Sequence, residues 1–252
     1  MKRTLLAIAA LIACGHTAFA QAVRHEDEDQ DESPYRSPQS WAIEARLGPY
    51  SPDVDSEFHG SADPHRMFFG NRNRLLFQME GDYQFFHRFG SAAVAVSAGY
   101  FRESAHAFVT DSTTMERSGD STALTLFPLS AALVYRFDVP ERRYHIPLVP
   151  YAKLGLTYTI WSVSNGNGDV ATSNDPSGHG RGGTPGWLGA AGIAFLLNVL
   201  DPSAARGFDA ESGVNRSYVF FEGEHWDASG LGRKDALHVG DTTWCAGLMF
   251  EF

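Results

Sequence analysis

The chain has 252 residues, 43% of them hydrophobic and 20% charged, too long for a small module and about the size of one large β domain. Twenty Lys and Arg stand against 30 Asp and Glu, a net −10, so no basic field gathers phosphates and nucleic acid is excluded as a partner. Aromatic content of 13%, with 18 Phe and 25 Gly against only 5 Met, favours pleated strands and tight turns over helical bundles.

Residues 1–20 read as a secretory signal peptide. Lys2 and Arg3 precede an apolar run from Leu5 to Ala13, and Ala18-Phe19-Ala20 has the small-x-small form of a cleavage site. That run is too short to span about 30 Å of hydrocarbon as a helix, and no later stretch reaches about 18 consecutive apolar residues. Leu11-Ile12-Ala13-Cys14 also has the look of a lipobox, but cleavage after Ala20 is preferred because the lipobox would leave a very short signal. Cys14 then leaves with the signal, and Cys245 has no cysteine partner. Residues 21–40 include RHEDEDQDESPYRSPQ, dense in acid and Pro with nothing to bury, and are expected to form a disordered periplasmic leader.

Residues 41–252 alternate with period two. Trp41, Ile43, Ala45 and Leu47 share one face of a first strand, with Glu44 and Arg46 on the other. In the second, Leu75, Phe77, Met79, Tyr83 and Phe85 oppose Gln78, Glu80, Asp82 and Gln84; in the third, Val94, Val96, Ala98 and Tyr100 oppose Ala95, Ser97 and Gly99. Further strands are predicted over 123–137, 149–163, 187–200, 218–226 and 239–252. Pro128 in the fourth is expected to force a bulge, the one-residue slip keeping Leu124, Leu126, Leu129, Ala131 and Leu133 on one face. Long polar connections over 49–73, 105–122, 164–183 and 227–238 alternate with shorter ones. In the last short one, Asp201 as N-cap and Pro202 at the first helical position predict one or two helical turns.

This pattern predicts an all-β fold: an eight-stranded antiparallel up-and-down transmembrane β-barrel with four long extracellular loops. Alternation alone also fits a soluble barrel turned inside out. Strand length decides for the membrane, together with rings near strand ends at Trp41, Tyr100, Trp161, Trp187, Trp226 and Trp244. The terminus GLMFEF, with Gly247, Phe250 and Phe252, resembles the C-terminal assembly signal of outer-membrane β-barrel proteins, although Cys245 stands where that pattern has a polar residue. With the signal peptide and eight strands, the chain resembles the OmpA/OmpX-like class of small barrels. The blocks SPQSWAIEARLGPYSPD, LDPSAARGFDAE and DTTWCAGLMFEF look closer still to an outer-membrane barrel family of myxobacteria and relatives. These resemblances imply a Gram-negative outer membrane, lipid around the barrel and the barrel-assembly machinery as partner of the last strand. They imply no activity and name no extracellular partner.

The membrane orientation turns Glu44, Arg46, Glu80, Asp82, Arg136, Lys153, Glu222, Glu224 and Glu251 into a narrow lumen. Six acids against three bases must pair, and the excess must be protonated, hydrated or cation-bound. An ion-paired plug is the expected outcome, since side chains just fill an eight-stranded barrel; a narrow cation-leaning pore is the alternative. Three weaker signals remain. His225 and Ser229 loosely resemble the His and Ser pair of outer-membrane lipid A deacylases, but stand four apart where that family has two, so the chain is not expected to be an enzyme. Asn165-Gly-Asn-Gly-Asp169, with Asn174 and Asp175, has the oxygen content of a calcium loop without its closing Glu, and a Gly/Asn turn is the simpler reading. Histidines 59, 65, 106, 179 and 238 show no ligand spacing and are expected at the polar surface; no cofactor motif appears.

Overall fold

The computed structural model describes residues 40–58, 63–70, 72–108, 117–171, 180–233 and 236–252. The signal peptide and all of the leader but Ser40 lie outside them. Eight strands follow the alternating segments: β1 (Trp41–Tyr50), β2 (Arg74–Phe86), β3 (Ser91–Phe108), β4 (Arg117–Arg136), β5 (Leu148–Ser164), β6 (Arg181–Leu196), β7 (Arg216–Asp227) and β8 (Asp241–Glu251). Each pairs antiparallel with the next and β8 returns to β1, so the sheet closes into an up-and-down barrel without a free edge. The seam runs from Ala42 opposite Glu251 to Leu47 opposite Ala246. Past its end, the Trp41 carbonyl accepts from the Phe252 amide at 2.8 Å, and Ser40 donates to the Phe252 carbonyl at 2.8 Å.

Period two sorts side chains as the sequence indicated. On β2, Leu76, Gln78, Glu80, Asp82 and Gln84 are buried inside while Leu75, Phe77, Met79, Tyr83 and Phe85 stand exposed outside. The outer wall is thus apolar on every strand and the lumen holds the polar residues.

Four expectations need correction. Pro128 makes no bulge: β4 keeps one unbroken register with β5 from Ala123 to Arg136. Leu124 and Leu126 therefore point inward with Pro128, and Leu129, Ala131 and Leu133 point outward. The ring is tolerated because Gly99 of β3 lies against it, where any Cβ would come within 2.8 Å of Pro128 Cγ. Second, most of the loop predicted over 105–122 is strand, with Ala105 opposite Thr122 and Phe108 opposite Arg117. This arm is exposed at Ser104, His106 and Asp120, so the ladder extends into a polar stretch of sequence. Third, β6 begins at Arg181 inside the predicted loop, and Gly183 there leaves space for the Tyr158 ring. Fourth, the helix after Asp201 runs Pro202–Ser212, longer than two turns, capped by Asp201 Oδ1 accepting from Ser203 N at 3.1 Å and Ala204 N at 2.9 Å and closed by Gly213 at φ 73°.

Candidate functional site

The charged layer of the lumen is built from alternate residues of β1, β2, β4, β5, β7 and β8. All nine predicted ionisable groups, Glu44, Arg46, Glu80, Asp82, Arg136, Lys153, Glu222, Glu224 and Glu251, are buried there. Lys153 Nζ reaches across to Glu44 at 2.7 Å, Glu80 at 2.8 Å and Glu222 at 3.2 Å. Arg46 lies 3.1 Å from Glu80, 3.2 Å from Glu222 and 3.3 Å from Glu224. Arg136 holds Glu44 at 2.9 Å and Asp82 at 2.5 Å. Each cation therefore bridges carboxylates of different strands, which locks the barrel's cross-section as well as neutralising charge.

Two glutamines complete the network. Gln78 accepts from Arg46 Nη2 at 2.9 Å and donates to Glu224 at 3.2 Å; Gln84 donates to Glu251 at 3.0 Å. Tyr218 donates to the other oxygen of Glu251 at 3.3 Å. The Cys245 thiol points to Glu224 at 3.3 Å, so the cysteine fills a polar inward position after all. By spacing, Glu222, Glu224 and Cys245, or Glu44, Glu80 and Asp82, could ligate a metal ion. The guanidinium and ammonium groups of Arg46, Arg136 and Lys153 already stand against those carboxylates as their counter-ions.

Apolar side chains pack on both sides of this charged layer, with Glu251 reaching past Met249 on the turn side. Toward the loops Tyr50, Leu76, Phe101, Leu126, Leu188 and Trp226 form one buried cluster; toward the turns Val149, Leu196, Phe220 and Met249 belong to another. Trp226 is thus no rim girdle: it shares parity with Glu222 and Glu224 and is buried inside, as Trp161 faces inward with Lys153. Trp41, Tyr100, Trp187 and Trp244 face outward as expected.

The loop end is organised over β1 and β8. Asp53 N donates to the Gly240 carbonyl at 3.0 Å, Ser51 N to Asp241 at 2.8 Å, and the Ser56 hydroxyl meets His238 Nδ1 at 3.0 Å. His65, expected at the surface, is buried: Asp55 accepts its amide at 2.7 Å and its Nε2 lies 2.5 Å from Glu103 of β3. His65 lies in the short helix Pro64–Phe69 of the first long loop. A cavity of about 590 Å³ opens between these loops, and Asp53, His225, Asp227 and Ser229 line it.

His225 and Ser229 share that cavity, but the hydrogen bonds they make there are to other residues. His225 Nδ1 is engaged by the Thr242 hydroxyl at 2.7 Å, and Ser229 bonds Asp227, which also accepts from Trp187 Nε1 at 3.0 Å. Asn165 closes a turn instead of presenting a ligand, its Oδ1 accepting from Asn167 N at 3.2 Å and Asp169 N at 3.0 Å; Asn174, Asp175, His59 and His179 lie outside the described residues. At the turn end, the Ser203 hydroxyl and the amides of Ala204 and Ser203 hold the exposed Asp201 carboxyl below its usual range.

Gly247, Phe250 and Phe252 end the last strand. Gly247 has no room for a Cβ against the backbone of β1, and Phe250 meets Phe208 of the turn helix edge-on with ring centroids 6.3 Å apart.

No protein-family model matches the chain, and no curated protein does. Among solved structures, it is similar to the attachment invasion locus protein Ail of Yersinia pestis, solved with the heparin analogue sucrose octasulfate, at 14% identity over 85% of this chain and 97% of that one, TM-score 0.43. It is also similar to the N-terminal β-barrel domain of Pseudomonas aeruginosa OprF, at 15% identity over 84% and 97%, TM-score 0.42. For the outer-membrane protein OprG of the same bacterium the figures are 14% identity, 86% and 97%, and 0.46. The architecture of the present chain, a closed eight-stranded antiparallel barrel of the outer-membrane type, stands on its own pairing and on its apolar exterior.

Proposed function

We propose that this chain is a Gram-negative outer-membrane β-barrel, exported by a cleaved signal peptide, with a structural or surface-interaction role exercised through its loop end. One observation carries the reading: through the middle of the barrel the exposed faces of the strands are apolar, while the lumen holds a buried, salt-bridged network with apolar clusters on its loop and turn sides. In hydrocarbon every backbone polar group must be satisfied within the protein, and a closed barrel does so while offering lipid only side chains. A lumen filled by paired charges and apolar layers argues against a cation-leaning pore, and the hydrogen bonds of His225 and Ser229 argue against a hydrolase. What remains free to act is the tied loop rim over β1 and β8 and the β3–β4 arm. Lipid surrounds the belt, and the assembly machinery takes the last strand through Gly247, Phe250 and Phe252. Kinship with the myxobacterial family is supported by the three sequence blocks.

The test is electrophoretic. Protein refolded in detergent should run compact on an unheated SDS gel and shift on boiling, because no strand edge admits the detergent. A chain that is monomeric and stable in water without detergent refutes the membrane reading.

A further inference from the structure

The loop-end cavity of about 590 Å³ is acidic: Asp53, Asp55, Asp227 and Asp241 line it against one guanidinium, that of Arg66, which lies 3.7 Å from Asp63. The carboxylates are held by neutral donors. Asp55 accepts from the amides of His65 and Arg66 at 2.7 and 3.0 Å, and Asp241 from those of Ser51 and Thr242 at 2.8 and 2.7 Å. Asp227 accepts from Ser229 and from Trp187 Nε1. Among the described residues the Asp53 carboxylate accepts no hydrogen bond, and no Lys or Arg pairs with any of the four. The lumen carboxylates differ in this respect, since cations stand directly against them.

The cavity floor supplies a second, independent signal. Trp226 is 4% exposed and packs against Tyr50 with ring centroids 6.4 Å apart, and among the described residues its indole N–H donates to no acceptor. Buried donors in folded proteins are nearly always satisfied, so this one is poised for an oxygen that enters the cavity. A point cation does not fit the acids: among the described residues, the groups of three His, Cys, Asp or Glu with ligand atoms within 4.8 Å of one another lie in the lumen and not here. Carboxylates spread around a space of this size suit a small molecule with separated donors. Ammonium is drawn by their field, and hydroxyls both donate to carboxylates and accept from an indole, whereas an anion is repelled.

We propose that the loop-end cavity binds a small hydroxylated amine, of the amino-polyol or amino-sugar class, with its ammonium drawn by Asp53 and the neighbouring carboxylates and a hydroxyl oxygen accepting from Trp226 Nε1. The proposal rests on the reading that the loop end is the working surface of the barrel, and it names the class of ligand that this surface takes.

Calorimetric titration of the full chain refolded in detergent tests it, with glucamine as the probe. Sorbitol and gluconate are the matched controls, carrying a hydroxyl or a carboxylate in place of the ammonium. Glucamine should bind more tightly than sorbitol, and gluconate should not bind. Asp53→Asn, at a carboxylate that accepts no hydrogen bond within the described residues, should weaken glucamine by about two- to fivefold and leave sorbitol nearly unchanged. Trp226→Phe should weaken glucamine and sorbitol alike by about two- to tenfold and leave putrescine, an amine without hydroxyls, unchanged. Each variant is first checked for the compact band on an unheated gel. Equal affinity for the three matched compounds, or no binding of any, overturns the proposal; so does a glucamine affinity indifferent to Asp53→Asn, or to Trp226→Phe in a protein that stays compact. Leu231→Cys, exposed in the loop between β7 and β8, reports on the underlying reading separately, because Cys245 is buried and gives no background. An impermeant maleimide should label Leu231→Cys on intact cells. Failure to label protein that is present in the outer membrane refutes the loop end as the outer surface, whatever the titration gives.

Discussion

Replacing Lys153 by Met removes the ammonium that three carboxylates share, at 2.7 Å from Glu44, 2.8 Å from Glu80 and 3.2 Å from Glu222. Breaking a buried pair by deleting one partner costs about 3 to 5 kcal/mol, because the remaining charge is left without compensation in a poor solvent. Here none of the three is wholly abandoned: Arg46 stays 3.1 Å from Glu80 and 3.2 Å from Glu222, and Arg136 2.9 Å from Glu44. The loss should therefore sit near the lower bound, about 3 kcal/mol, or roughly a hundredfold in the folded-to-unfolded ratio. Glu80→Gln in the same chain removes one of the stranded charges, so the double variant should be more stable than the two single losses predict, with a coupling of about 1 to 3 kcal/mol. Urea titration of folding into lipid vesicles, read from the compact band on an unheated gel, measures all four corners of the cycle. If Lys153→Met stays within about 0.5 kcal/mol of wild type and the losses simply add, the lumen is hydrated and the charges do not brace the barrel.

Three further outcomes are expected. Leu154→Arg places a guanidinium on the outer wall of β5, between Leu133 and Gly189, and should lower stability in vesicles by about 2 to 4 kcal/mol; an unchanged urea midpoint means that this face does not meet lipid. Phe252→Ala keeps the backbone bonds to Ser40 and Trp41 but removes the terminal ring, so export should continue while outer-membrane levels fall; normal levels mean that the likeness to an assembly signal is coincidental. His225→Ala and Ser229→Ala should leave lipid A acylation unchanged by mass spectrometry, since their hydrogen bonds go to Thr242 and Asp227; an acyl chain restored in both variants makes the protein a hydrolase.

Legibility in the sequence followed the physics of each region. Inside the belt, lipid on one side and lumen on the other force strict alternation, and the parity of Glu44, Glu80, Lys153 and Glu222 could be read directly. The same parity places Trp226 and Trp161 indoors, although both lie near strand ends where girdle rings also occur. At Pro128 the missing donor alone predicts a slip, whereas Gly99 on the neighbouring strand makes room for the ring in register. Beyond the belt both sides of a strand meet water, so the arm of β3 and β4 kept its hydrogen bonds but lost its apolar signature. His65 was invisible for a different reason: its partner Glu103 lies on another strand, and only tertiary structure brings them together. The cross-lumen partners of Arg46, Lys153 and Arg136, and the glutamines between them, depend on strand stagger that one sequence does not specify.

The barrel is filled, its lumen charges bracing the wall, and the proposed surface role falls to the loop end. Conductance of the refolded protein across a planar lipid bilayer tests this most directly. The account predicts insertion without ion current, because Leu76, Phe101, Leu126 and Trp226 form a dry layer over the ion-paired lumen. Steady cation-selective steps from the wild-type protein would contradict it.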